Sequence, residues 1–235
     1  SKQSRGLGDV YKRQAQGVAY SAKELGIKAT IFMPKTTPLI KVNAVRDLKA
    51  KVVLVGNNFD DALKESKKFC KKNKVNFIHP FDDPLVIAGQ GTVGMEISEQ
   101  FPENLYAVFV AVGGGGLIAG IGAYLNKVNP NVKIIGVEAA DSAGLHASVK
   151  AGKRIKLKEV GLFADGAAAK QIGKNNYELI KNFLDDSITV DTDEICAAVK
   201  DTFLETRTVP EPTGALALAG LKKYIGQKRI KNKNI

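Results

Sequence analysis

The sequence predicts an α/β protein built on open, twisted, mainly parallel sheets with helices on both faces, divided into a small and a larger domain. Short β-branched runs alternate with longer amphipathic segments from residue 15 onward, the signature of strand, crossover helix and parallel strand. At 235 residues, 44% hydrophobic and 25% charged, the chain can bury a core and has the length of one or two domains. Four consecutive glycines, Gly113 to Gly116, stand between a hydrophobic strand pattern and an amphipathic helix pattern.

Taken in order, Gly17 to Leu25 has helical spacing and stops at Gly26, a suitable residue to end a helix. Ala29 to Phe32 reads as a strand closed by Pro34, Leu39 to Leu48 as a helix, and Val52 to Val55 as a strand. Asp60 to Lys72 is a third helix and Val75 to Ile78 a third strand. Turn residues cluster between Pro80 and Gly91, which places the domain boundary there: 15–84 small, 85–235 larger. Asp82, Asp83 and Pro84 open a long helix to about Gln100. Strand Tyr106 to Val112, helix Leu117 to Val128 and strand Val132 to Val137 follow. The remaining elements are helices over Asn176 to Leu184, Thr192 to Arg207 and Thr213 to Tyr224, with a strand near Ile188 to Val190. Residues 1–14 are set apart: 4–14 lack periodicity and read as a non-native or disordered segment.

The net charge of +11 suggests nucleic acid until it is located. Lys2, Arg5, Lys12 and Arg13 face only Asp9 at one end, and the last fourteen residues carry six cations with no acid, so the body is near neutral. No aromatic interleaving accompanies these charges, and solvated tails are expected rather than a nucleic-acid arm. Cys70, His79, His146 and Cys196 lack zinc-ligand spacing, and no metal site is assigned. The two cysteines are read as buried or half-buried spacers, His79 before Pro80 as a turn residue, and Asp165 as a turn carboxylate too isolated to specify a cation. Ala107 to Leu125 is free of charge, but its six glycines favour a strand, a loop and a helix over a membrane span. A cytoplasmic protein without membrane or nucleic-acid partners is expected.

Consecutive glycines let backbone N–H groups converge on an anion at a helix N-terminus, where the helix dipole adds to the attraction. Val112-Gly113-Gly114-Gly115-Gly116-Leu117 therefore reads as a phosphate site, against the alternative of an empty turn. Gly114 to Ala119 also satisfies G-x-G-x-x-A, and Glu138 ends the next strand as the ribose ligand of a dinucleotide site would. Against that reading, the motif follows earlier βα units instead of opening the fold. Glu138 is equally readable as a surface residue at a strand end.

From Ala15 onward the chain resembles the pyridoxal-phosphate-dependent threonine dehydratases of the fold type II, tryptophan-synthase-β-like superfamily. The resemblance rests on Ala15-Gln16-Gly17-Val18-Ala19, on His79-Pro80-Phe81-Asp82-Asp83-Pro84 with Val86 to Thr92, and on Val112 to Leu117. It continues through Val160 to Gly166, Asp185-Asp186 with Ile188-Thr189-Val190, and Glu211-Pro212-Thr213-Gly214-Ala215-Leu216-Ala217. It implies pyridoxal 5'-phosphate as cofactor, with Gly113, Gly114, Gly115, Gly116 and Leu117 forming its phosphate cup and Glu211 lining the ring side of the cleft. The implied reaction is conversion of threonine, or serine, to a 2-oxo acid and ammonia in amino-acid biosynthesis, by an intact enzyme that is a homo-oligomer.

Where the family has a Ser/Ala-Gly-Asn-His run, this chain reads Tyr11-Lys12-Arg13-Gln14. The family's Schiff-base lysine is expected upstream and its pyridine-nitrogen serine beyond Ile235. No catalytic lysine is therefore assigned, Lys12 included, and an internal fragment, inactive alone, is expected. A serine dehydratase or racemase relative and a non-enzymatic phosphate- or dinucleotide-binding module are the competing readings.

Overall fold

The computed structural model describes residues 7–10, 13–57, 59–101, 103, 105–228, 230 and 233–235. Lys2, Arg5, Lys12, Arg229 and Lys231 of the terminal charge clusters lie outside these residues, as does Tyr11. The chain divides into two compact units, Ser1–Asp83 and Pro84–Ile235.

The first unit runs β1 (Leu7–Val10), α1 (Arg13–Glu24), β2 (Ala29–Met33), α2 (Leu39–Asp47), β3 (Lys51–Leu54), α3 (Phe59–Asn73) and β4 (Asn76–Phe77). Its sheet has the order β3-β2-β1-β4, with every pair parallel. Alternation along β2 sends Ala29, Ile31 and Met33 to Ala15, Ala19 and Ala22 of α1 and to Val42 and Val45 of α2. Phe32 points the other way, to Ala62 and Phe69 of α3, so helices cover both faces. Gly26, at φ +64, ends α1 in the left-handed conformation that leaves Ile27 N–H to donate to Ala22 O at 2.9 Å.

Within the segment set apart above, Leu7–Val10 lies between β2 and β4, paired with both, and α1 begins at Arg13. Gly8 and Asp9 are residues depleted in strands. Backbone pairing on two sides recruits them, and backbone pairing leaves no mark in a side-chain pattern.

The second unit contains α4 (Pro84–Gln100), β5 (Ala107–Ala111), α5 (Gly116–Val128), β6 (Lys133–Ala139), α6 (Gly144–Ala151), α7 (Lys174–Ile180), β7 (Leu184–Val190), α8 (Thr192–Thr206) and α9 (Pro212–Lys228). Its sheet, β5-β6-β7, is again parallel. Ile135, Val137, Ile188 and Val190 face a core shared with Ile195 and Ala198 of α8 and Leu216 and Ala219 of α9. Val110 and Ile134 face the opposite core, with Ile118, Ile121 and Leu125 of α5, Leu145 of α6 and Ile180 of α7. A register shift at Ile134/Ile135 skips Asp185, whose carboxylate accepts from Ile134 N–H at 2.8 Å.

The charge-free glycine-rich stretch resolves into β5, a loop and α5. A side chain at Gly120 would stand 2.4 Å from Ile87 O and 2.6 Å from Gly91 N, so the glycine is needed for α5 to lie against α4. Among the described residues, no helix is long and apolar enough to cross a membrane. Two expectations shift here. The helix read as Asn176 to Leu184 is α7, which ends at Ile180, and Leu184 starts β7. Helix α6 had no counterpart in the sequence reading.

Candidate functional site

The glycine run connects the end of β5 to the start of α5. Gly115 is the residue before the helix, at φ +89 and ψ 0, and Ala119 N–H donates the first helical bond to Gly115 O at 3.0 Å. The N–H groups of Gly115 to Ile118 therefore precede the first intrahelical donor and have no acceptor within the helix, at the positive end of a thirteen-residue helix. Gly115 and Gly116 are buried, Gly113 and Gly114 are half-buried, and Leu117 is exposed.

Glycine is demanded on the loop's inner side. A Cβ on Gly113 would stand 2.8 Å from Ala167 Cα, in the 3-10 turn Asp165–Ala167. One on Gly115 would stand 2.9 Å from Ile172 Cδ1 and 3.2 Å from Asn176 Cβ. Gly114 O accepts from Asn176 Nδ2 at 2.7 Å and from Gly173 N–H at 3.0 Å. Arg154 Nε and Nη2 both donate to Ile172 O, at 3.1 and 2.7 Å, which ties down the segment behind the loop. This backing was not foreseen: Asn176 is 62 residues from Gly114, and no local pattern connects them.

The turn that abuts Gly113 also meets the Glu211 block. A Cβ on Gly166 would stand 2.5 Å from Thr213 Oγ1, two residues past Glu211. Glu211 O accepts from Gly214 N–H at 2.8 Å and Ala215 N–H at 3.2 Å, which fixes the backbone where α9 begins at Pro212.

Both readings of Glu138 fail. It is 1% exposed, and its two carboxylate oxygens accept from Leu145 N–H at 2.8 Å and His146 N–H at 2.7 Å, at the start of α6. Alternation along β6 turns Glu138 to the face of Ile134, where α6 packs, so it is neither a surface residue nor available to a ribose. Burial pushes its carboxyl up to about 7, against the opposing pull of the backbone N–H groups. The dinucleotide reading loses its acidic ligand.

A partly buried glycine run ahead of a helix N-terminus is a backbone arrangement that could hold the phosphate of a cofactor. The family model described as pyridoxal-phosphate dependent enzyme matches residues 14–235. The chain belongs to that family. It is 54% identical over 221 residues to the threonine dehydratase, mitochondrial, of Schizosaccharomyces pombe, covering 94% of this chain and 37% of that protein. It is 50% identical over 224 residues to the L-threonine dehydratase biosynthetic IlvA of Burkholderia multivorans, covering 94% of this chain and 44% of that one. The chain thus spans less than half the length of either relative. The processed form of threonine deaminase isoform 2 from Solanum lycopersicum superposes with a TM-score of 0.95 at 42% identity, over 99% of this chain and 64% of that chain. Serine racemase from Dictyostelium discoideum superposes at 0.86 with 30% identity, over 97% of this chain and 74% of that one. The fold type II architecture read from the sequence is the fold of these pyridoxal-phosphate enzymes.

Within this family member, other sequence-derived sites fall elsewhere. Cys70 is buried, and burial pushes its thiol up, but Cys196 is exposed and is not the buried or half-buried spacer expected of it. The apolar neighbours of Cys196 line an open cavity of about 550 Å³ with Phe163, Phe203 and Pro212, and no residue of the glycine loop borders it. His79 Nδ1 accepts from Asp82 N–H at 3.0 Å in a turn, and burial lowers its pKa. Among the described residues no cluster of three His, Cys, Asp or Glu is placed to hold a metal ion.

Proposed function

We propose that this chain is the cofactor-binding part of a threonine dehydratase, an ammonia-lyase that converts L-threonine to 2-oxobutanoate and ammonia. The observation that carries the reading is the glycine cradle before α5, on a chain 50–54% identical to threonine dehydratases across 94% of its length. When bound, pyridoxal phosphate supplies an electron sink for charge developing at the amino-acid α-carbon.

In this reading the backbone N–H groups from Gly113 to Leu117 hold the phosphate. The absence of side chains at Gly113 and Gly115 lets the loop sit against Ala167 and Ile172. The dipole of α5 favours the phosphate's negative charge at that end. Glu211 stands on the ring side, held by the two N–H groups that donate to its carbonyl. These groups bind and orient, and they contribute by fixing the cofactor where the substrate amine and hydroxyl reach it.

The test is 2-oxo acid release from threonine and from serine by the intact protein with added cofactor. The expected outcome is 2-oxobutanoate from threonine with a kcat/KM above that for pyruvate from serine. Serine racemisation without 2-oxo acid release from threonine would overturn the assignment.

A further inference from the structure

The glycine loop has a freedom that anion binding cannot tolerate. In a trans peptide the carbonyl of one residue and the N–H of the next point to opposite sides. Rotating the Gly114–Gly115 peptide by half a turn would move φ of Gly115 from +89 into the negative half, which glycine adopts as readily. Such a flip would exchange a donor for an acceptor on the loop's outer side and present a carbonyl oxygen to the anion. The glycines that open the cradle therefore do not choose which way this peptide faces.

The choice is made from behind. Gly114 O is engaged by two donors, Asn176 Nδ2 at 2.7 Å and Gly173 N–H at 3.0 Å, both on the side where Ile172 and Asn176 abut Gly115. Asn176 is 0% exposed on the first turn of α7, so its carboxamide is fixed by packing. Arg154 grips the Ile172 carbonyl with two donors, which anchors the strip that carries both partners of Gly114 O.

We propose that Asn176 is a positioning residue for the cradle: its carboxamide holds the Gly114 carbonyl turned toward α7, and thereby aims the Gly115 N–H outward at the phosphate. The inference rests on the reading of the loop as a phosphate site. The side chain acts on the cradle through the peptide plane.

The experiment compares Asn176→Leu, similar in volume and without a donor, with the unchanged protein. Equilibrium affinities for pyridoxal phosphate and for pyridoxal, which lacks the phosphate, are measured for each. General loosening of the fold weakens both ligands together, so the ratio reports the cradle alone. The unchanged protein should favour pyridoxal phosphate, and the variant should lose about tenfold of that preference, the scale of one hydrogen bond to a charged group. A preference retained in full by the variant would overturn the role of Asn176. No preference in the unchanged protein would instead overturn the phosphate reading of the loop, and this inference with it. Where the variant does not fold, the unchanged protein decides: in a glycine- and leucine-labelled sample titrated with inorganic phosphate, the Gly115 amide proton should move downfield with those of Gly116 and Leu117. A Gly115 amide that stays in place while the other two move would overturn the proposal.

Discussion

At the scale of single residues, Glu138 illustrates how a strand-end carboxylate can be misread. Its sequence position suits a ribose ligand, yet its oxygens serve the first N–H groups of α6. With the folded carboxyl raised to about 7 from an ordinary 4.5, the folded state binds the proton more tightly than the unfolded chain. Its stabilising contribution is thus fully present below about pH 4.5 and is lost as pH rises through about 7. Glu138→Gln should flatten that part of the stability-pH profile. It should also cost about 1–3 kcal/mol, because the carboxamide NH₂ would face one of two backbone donors. Denaturation midpoints of both proteins between pH 4 and pH 8, as an order-of-magnitude window around ordinary and raised carboxyl values, check the two effects together. An unchanged slope would mean that the carboxyl does not titrate there.

At the scale of elements, legibility follows where the stabilising partner sits. Helix α8 carries its cap locally: Asp191 accepts from Glu194 N–H at 2.8 Å and Glu194 accepts from Asp191 N–H at 2.8 Å, a capping box contained in four residues. Glu194 also receives Lys223 Nζ of α9 at 3.0 Å, which joins the two helices that cover one face of the sheet. Asp191→Ala should lower stability by about 0.5–2 kcal/mol in a urea titration, with the cradle's ligand affinity unchanged. Helix α6 escaped the sequence reading for the opposite reason. No side chain caps it from Ala143, and its N-terminal acceptor is Glu138, seven residues upstream on β6. Strand β1 was likewise hidden, since its place depends on β2 and β4 pairing with it on either side.

For the whole molecule, the parallel α/β architecture was legible because burial on both sheet faces writes continuous apolar strands between amphipathic helices. The junction was legible because strand, glycine run and helix are adjacent in sequence. Its support was not: Ala167, Ile172 and Asn176 reach the loop only through the fold, and the turn that meets Gly113 also meets Thr213 beside Glu211. We propose that Gly113 to Leu117 form a backbone cradle for the cofactor phosphate. Gly115→Asp tests it most directly, because it adds a side chain where φ is +89 and a Cβ would lie 2.9 Å from Ile172, and adds a negative charge within an anion site. Pyridoxal phosphate is titrated into the unchanged protein and the variant, with inorganic phosphate as competitor and the folded content of each checked by circular dichroism. The expected result is cofactor binding that inorganic phosphate displaces in the unchanged protein and that is lost in a folded variant. Equal affinity for pyridoxal phosphate in the two folded proteins would contradict the claim.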